Sequence, residues 1–214
     1  MQPRYNRVRY AKRAHYDQEA IHAVLDAGLV AHVGFIAEGR PMVIPMVYGR
    51  IGDVVYLHGA SKTRAMTLGE GAALCLTLTL VDALVLARSG FNHSMNYRSV
   101  VLHGRGRAVT DARETLAALT AITDHALPGR TAELRAATAQ ELKATGVIAL
   151  EVEAGSAKSR SGPPADDAED IGLGGWAGLL PLAMVAGAPV PDTHSATGSA
   201  PPPSLAAARA RLVP

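Results

Sequence analysis

Ser61, Lys62 and Arg64 carry, within four residues, the chemistry needed to hold an anion. They follow the apolar run Val54 to His58, which reads as a strand, and Gly59 frees the backbone to turn. The spacing then predicts a short helix over Ser61 to Leu68. A helix N-terminus offers unpaired N–H groups and positive potential. A hydroxyl, an ammonium and a guanidinium placed there can neutralise a phosphate dianion. The same residues also make an ordinary N-cap with two solvated cations, and spacing alone does not separate the two readings.

Other constellations are weaker. His58, His93 and His103 lie in no ligand pattern, and Cys75 is the single cysteine, so no metal site is expected. Gly104-x-Gly106 and Gly172-Leu-Gly174-Gly175 do not sit between a strand and a helix of a βαβ unit, which excludes a dinucleotide fingerprint. No Gly-x-Ser-x-Gly elbow occurs, which argues against a serine hydrolase.

The elements that would position these residues are mostly strands. Asp17 can cap a helix that runs to Ala27, with Ile21, Val24 and Leu25 on one face and Gly28 as its stop. Val30 to Ala37, Met42 to Tyr48 and Val54 to His58 read as a meander of strands joined by tight turns. Leu74, Leu76, Leu78 and Leu80 alternate with Cys75, Thr77 and Thr79, a period of two that fits a half-buried strand. A turn is expected at Val81 to Ala83, with a return strand over Leu84 to Ala87. Tyr97 to Val109 reads as a long strand bent by Gly104 and Gly106. Asp111 with Glu114 reads as an acidic capping box for a helix striped by Leu116, Leu119 and Ile122. Thr138 with Glu141 reads as a second capping box, for a helix stopping at Gly146, and Val147 to Val152 as the last strand. The whole is mainly β, a small barrel with flanking helices.

Composition sets the frame. The chain has 214 residues, 48% hydrophobic and 19% charged, which suits a globular domain. The net charge of +2 predicts neither a nucleic-acid nor a membrane partner. The basic run Arg4, Arg7, Arg9, Lys12 and Arg13 is followed by no apolar segment, and no stretch is long and apolar enough to span a bilayer. With a lone cysteine this points to the cytoplasm. The organisation expected is a basic arm over residues 1–16, a barrel domain over 17–190 and a low-complexity, disordered tail over 191–214.

The stretch Val55 to Arg64 resembles the phosphate loop of pyridoxamine 5′-phosphate oxidase-like proteins, which bind flavin mononucleotide (FMN) in a split barrel. Pro41-Met42-Val43-Ile44-Pro45-Met46-Val47-Tyr48-Gly49 is similar to the strand that lines the flavin ring in that family. Phe91-Asn92-His93-Ser94-Met95-Asn96-Tyr97-Arg98-Ser99-Val100 is similar to the signature of its flavin-nucleotide-binding branch, related to nitroimidazole-resistance proteins. Ala157-Lys158 and Trp176 to Pro181 resemble that branch's C-terminal elements.

The resemblance implies FMN at the interface of a homodimer. Ser61, Lys62 and Arg64 would hold its phosphate, and Val43, Ile44, Pro45 and Met46 would lie along the ring. Tyr48, His58, Asn96, Arg98 and Ser99 would complete the cofactor site, and His93 is the candidate proton donor. Trp176 would either stack near the flavin or anchor the C-terminal segment. Two departures narrow the reading: the family's Ser-Arg-Lys run is here Ser61-Lys62-Thr63-Arg64, and the oxidase's substrate-binding basic motif near the C-terminus is not recognisable. What the resemblance implies is therefore an FMN-dependent oxidoreductase for a small molecule, not vitamin-B6 oxidation. The alternatives are a non-catalytic flavin-binding protein, or a barrel that uses a deazaflavin (F420) or haem.

Overall fold

The structure is a computed structural model that describes residues 2–68, 70–195 and 198–212. The chain divides into two compact units. One holds residues 1–28, 77–101 and 154–183, and the other residues 29–76, 102–153 and 184–214. In chain order the elements are β1 (Ala14–His15), α1 (Gln18–Ala27), β2 (Val30–Ala37), β3 (Arg40–Ile51), β4 (Val54–Ala60), β5 (Ala72–Leu86), β6 (Ser94–Ala108), α2 (Ala112–Ala126), α3 (Ala139–Ala144), β7 (Thr145–Arg160), α4 (Ala168–Gly172), β8 (Gly178–Pro181) and α5 (Pro203–Arg211). The strands form one sheet in the order β1-β7-β4-β3-β2-β5-β6, and β6 also pairs with β7, so the hydrogen-bonded path closes as a barrel's must. No helix among the described residues is long and apolar enough to cross a membrane.

In the second unit, β2 and β3 form a tight hairpin. Glu38 and Gly39 both take positive φ, 51° and 72°, the backbone of a two-residue turn whose twist matches the flanking strands. Ala37 therefore pairs directly with Arg40, and the register runs on to Val30 opposite Val47. Ala31, Val33 and Phe35 are buried, whereas Val30 and Ile36 face outward. β3 continues past the expected Tyr48 to Ile51, and β4 pairs with it from Val54. Gly49 explains the position of α2: a Cβ there would lie 2.5 Å from the Ala121 and Ile122 backbone. Tyr56, paired with Gly49, packs with Ala118, Ile122, Val147 and Ala149 beneath the same helix.

The expected helix over Ser61 to Leu68 does not form. Thr63 N bonds back to Ala60, Thr67 N to Thr63 and Leu68 N to Ala65, a succession of turns without a continuous ladder. The Ser61 N–H is spent on the Ala144 carbonyl, and the Thr67 hydroxyl donates to the carbonyls of both Thr63 and Arg64. Eight residues with two β-branched threonines and glycines just beyond do not sustain a helix against those competitors.

β5 is one strand where two were expected. Leu74, Leu76 and Leu78 are buried, then the buried set changes parity to Ala83 and Val85. That slip breaks the period of two at Val81 and imitates a turn. In β6 Asn96, Val100, Leu102, Gly104 and Gly106 are buried at even positions, and Arg98 among them is exposed. Gly104 marks a close approach rather than the expected bend: a Cβ on it would lie 2.0 Å from the Glu151 carbonyl oxygen on β7.

The caps divide. Asp111 accepts from Glu114 N at 2.8 Å, but Glu114 does not close a capping box. Its carboxylate takes Arg107 at 2.6 Å and the Tyr56 hydroxyl at 3.0 Å instead. Leu116 is exposed, and Ala118 and Ile122 make the buried stripe of α2. Thr138 and Glu141 do form the full capping box of α3. β7 runs on to Arg160, well past Val152. In the segment expected to be a disordered tail, Pro203–Arg211 form α5, with Ser204 and Ala208 buried. The Ser204 backbone N–H and hydroxyl donate to Glu133 at 2.9 Å and 2.5 Å. In the first unit the basic arm is ordered: Asn6 is buried and donates to the Gly155 carbonyl at 2.9 Å, and β1 pairs with β7.

Two measurements check this account. Gly104→Ala forces a backbone contact that no side-chain motion relieves, and it should lower stability by about 3 kcal/mol, the upper end for overpacking, in urea unfolding. Glu141 is held down at about 2 by hydrogen bonds from Arg135, then from Thr138. Its folded value lies below the unfolded one, so its contribution is complete above about pH 4.3 and fades as pH falls towards 2. The Tm gap between wild type and Glu141→Gln should be constant above pH 5 and should close across that acid range.

Candidate functional site

The residues expected to form the site fall into two groups, one in each unit. In the second unit, β4 ends at Ala60 and delivers Ser61, Lys62 and Arg64 to the turns that follow. Lys62 and Arg64 are exposed, and neither side chain makes a hydrogen bond or ion pair among the described residues. This contrasts with Arg105, Arg107, Arg130 and Arg135 of the same unit, each of which meets a carboxylate. Without the helix, no helix dipole aids anion binding. What remains is two uncompensated cations beside the Ser61 hydroxyl, enough for charge-assisted contacts to a phosphate.

His58 stands on the last turn of pairing in β4, opposite Val147 of β7. Its Nδ1 is buried and has no hydrogen-bond partner among the described residues. Burial pushes its pKa below the ordinary imidazole value, so the ring is neutral at pH 7. A buried polar atom left without a partner is uncommon in a folded chain and fits a site that a ligand atom completes.

Along β3, Val43 and Val47 are exposed with Val30 and Ile36 of β2 on the same face, and Pro45 lies between them. Ile44 and Met46 alternate to the other side and are half-buried. Tyr48 is wholly buried, and its ring centroid lies 4.6 Å from that of His125, which makes it a packing residue.

In the first unit, β6 carries Asn96, Arg98 and Ser99, and all three are already partnered. Asn96 is buried; its carbonyl accepts from Arg160 and its amide donates to the Gly162 carbonyl at 3.1 Å. Arg98 forms a bidentate pair with Asp82, the shorter contact being 2.7 Å. The Ser99 hydroxyl donates to the Lys158 carbonyl. His93 is exposed, with Nδ1 2.7 Å from the Ser89 carbonyl. Trp176 is 70% exposed, and its ring folds back over Gly178. Of its two expected roles, the core anchor is not realised.

Sequence reasoning missed the residues that fix this region. Arg88 donates its backbone N–H and its guanidinium to Asp166 at 2.7 Å and 2.8 Å. Asn92 reaches Asp167, and Arg160 caps the Gly162 and Pro163 carbonyls. Asp166 and Asp167 sit in a stretch whose Gly, Ser and Pro content reads as loop, so only their acidity beside an arginine-rich sheet could have signalled them. No group of three or more His, Cys, Asp or Glu residues that could hold a metal occurs among the described residues.

Comparison with known proteins places the fold in a family. The family described as pyridoxamine 5′-phosphate oxidase matches residues 17–159. The flavocytochrome Anf3 from Azotobacter vinelandii is 38% identical, covers 96% of this chain and 96% of its own, and superposes with a TM-score of 0.89. The FAD and haem binding protein from Mycobacterium smegmatis is also 38% identical, over 92% of this chain and 97% of its own, with a TM-score of 0.87. A Bacteroides thetaiotaomicron protein provisionally named for 5-nitroimidazole antibiotic resistance is 20% identical, covers 72% of this chain and 95% of its own, and has a TM-score of 0.55, which shows the fold alone. No functionally curated protein matches. With its closed path of strands and a family match over most of its length, the chain belongs to the pyridoxamine 5′-phosphate oxidase-like split-barrel family.

Proposed function

We propose that this chain is a flavin- and haem-binding protein of flavocytochrome type, with FAD as its flavin, acting as a homodimer. The observation that carries the reading is 38% identity, over nearly the whole chain, to two proteins described as a flavocytochrome and as FAD- and haem-binding. FMN, expected from the resemblance alone, gives way to FAD on that ground. The residues fit a nucleotide: Lys62 and Arg64 stand uncompensated beside Ser61, and a pyrophosphate supplies the charge they lack. His58 offers a neutral ring with an unmatched Nδ1 to a ligand's polar atom.

Flavin and haem together would supply two-electron and one-electron chemistry, and the protein supplies binding, orientation and local electrostatics. Lys62 and Arg64 hold the phosphate as solvated charges, and the outward apolar row Val30, Ile36, Val43 and Val47 offers a dry surface to a flat ring or to a second copy. Binding stands ahead of the oxidoreductase reading. Steady-state oxidation of a reduced nicotinamide by a small acceptor is what would separate a reductase from a non-catalytic carrier.

Two experiments test the proposal. Protein purified from cells supplied with haem precursor, or incubated with FAD and haem, should show both flavin bands and a Soret band, the flavin released on denaturation should be FAD, and light scattering should give a dimer mass. A colourless protein that takes up neither cofactor overturns it, and released FMN corrects the flavin. Lys62→Ala and Arg64→Ala should each lose one charge-assisted contact of about 1.5–3 kcal/mol, which is about 10- to 150-fold in flavin Kd. Titration by flavin fluorescence reads this directly, and unchanged affinity in both variants places the phosphate elsewhere.

A further inference from the structure

We infer that the basic N-terminal arm is a docking surface for the carboxylate-rich face of a small one-electron carrier protein. The inference rests on the flavin- and haem-binding reading above and deepens it by naming the partner that supplies electrons. Residues 1–16 hold Arg4, Arg7, Arg9, Lys12 and Arg13, and no acidic residue precedes Asp17. The whole chain has a net charge of only +2, so the arm carries more than the entire positive excess and the remainder is net acidic. Positive charge concentrated on one short segment steers and orients an oppositely charged partner. Arg4, Arg9 and Lys12 are exposed, and none of these side chains makes a hydrogen bond or ion pair among the described residues.

The arm is not a loose tail. Arg4–Asn6 and Ala11–Arg13 are single 3-10 turns, and Ala14 and His15 pair with β7. Asn6 is buried and donates to the Gly155 carbonyl at 2.9 Å and to Gln2 Oε1 at 2.7 Å. The Val8 N–H donates to the Tyr16 hydroxyl at 2.9 Å. These bonds hold the backbone beneath the cations before a partner arrives, which lowers the ordering cost of binding. The cations are mostly arginine, whose planar fork suits carboxylates, and Tyr5 and Tyr10 stand exposed among them. Arginine and tyrosine are the residues that most often anchor protein interfaces.

The chemistry favours a protein over a nucleic acid. A stacked base needs an open aromatic face, and the Arg13 guanidinium lies over the Tyr10 ring, 5.2 Å from its centroid. Single turns supply neither a recognition helix for a duplex groove nor an amphipathic helix for a membrane surface. Electron-carrier encounters bury little area and depend on charge, which a patch of this size can serve. Each reduced carrier gives up one electron and leaves oxidised. Two dockings then deliver the two electrons that reduce one bound flavin, with two protons taken from water.

The test is calorimetric titration of the full chain, as purified, with a plant-type ferredoxin and with a flavodoxin, both acidic one-electron carriers. The wild type should bind at least one of them, with a Kd that rises at least about tenfold between about 0.05 M and about 0.5 M salt. The triple variant Arg4→Gln, Arg9→Gln, Lys12→Gln should bind it at least about tenfold more weakly, with an unchanged far-ultraviolet circular dichroism spectrum and an unchanged flavin Kd. No binding of either carrier, or undiminished binding by the triple variant, overturns this inference and leaves the cofactor reading intact. A single-stranded oligonucleotide or phosphatidylserine vesicles bound more tightly than either carrier overturn the choice of partner. Mixed with the reduced carrier at low salt, the wild type should bleach its flavin bands faster than the triple variant, and docking without bleaching overturns the electron-supplying role. Absorbance of the same sample reads flavin and haem content, so a chain that docks the carrier but holds neither cofactor overturns the cofactor reading alone. If the triple variant does not fold, Arg9→Gln and Lys12→Gln serve singly, each expected to weaken docking about threefold, and unchanged affinity in both overturns the assignment.

Discussion

The candidate phosphate group depends on backbone brought closer than any side chain allows. At Gly104 the Glu151 carbonyl of β7 occupies the place a Cβ would take, and at Gly49 the backbone of α2 does the same. The first contact joins β6 to β7, and the second seats α2 against β3 and over Tyr56. Tyr56 and His58 share one face of β4, so the helix that fixes the first also sets the strand that carries the second. Four residues after His58 the strand has ended and the cations begin. The chemistry of Ser61, Lys62 and Arg64 is therefore positioned by glycines more than ten residues away in sequence.

Six arginines of this protein meet a carboxylate among the described residues, and Lys62 and Arg64 do not. Arg107 bonds Glu114 and Glu151, Arg105 bonds Glu153, Arg98 bonds Asp82 and Arg88 bonds Asp166. Such pairs on the surface add little stability singly. Their larger effect is to remove free cations from the field around the molecule, which leaves Lys62 and Arg64 as a local source of positive potential.

Much of this was legible in the residues, and each failure has a cause. β2 was read to the residue because Gly28 and the Glu38-Gly39 turn punctuate it on both sides. The Thr138 and Glu141 box was read because both halves of that motif are local. The Asp111 box was half right because Glu114 had a stronger offer from Arg107 and from Tyr56, whose position on β4 beside it comes only from the fold. The helix after Ser61 failed because the turns that follow, closed by Thr63 N to Ala60, Thr67 N to Thr63 and Leu68 N to Ala65, build no continuous ladder. Composition misled twice in the C-terminal part of the chain. Residues 155–160 and 203–211 are small and polar, yet the first complete β7 and the second build α5. The candidate residues on β6 were named by resemblance, but the partners of Asn96, Arg160 and Gly162, come from a different part of the chain and leave no periodic trace.

The helix α5 bears on how the chain can be handled. A boundary drawn by composition at residue 191 discards Ser204, which supplies both a backbone and a hydroxyl hydrogen bond to Glu133, and leaves that carboxylate with Arg130. It also discards Arg211, which donates to the His125 carbonyl at the end of α2. Because His125 stacks on the buried Tyr48, shortening the chain by two dozen alanine- and proline-rich residues reaches a ring in the protein interior. Low sequence complexity here describes the alphabet of the segment and says nothing about its dispensability.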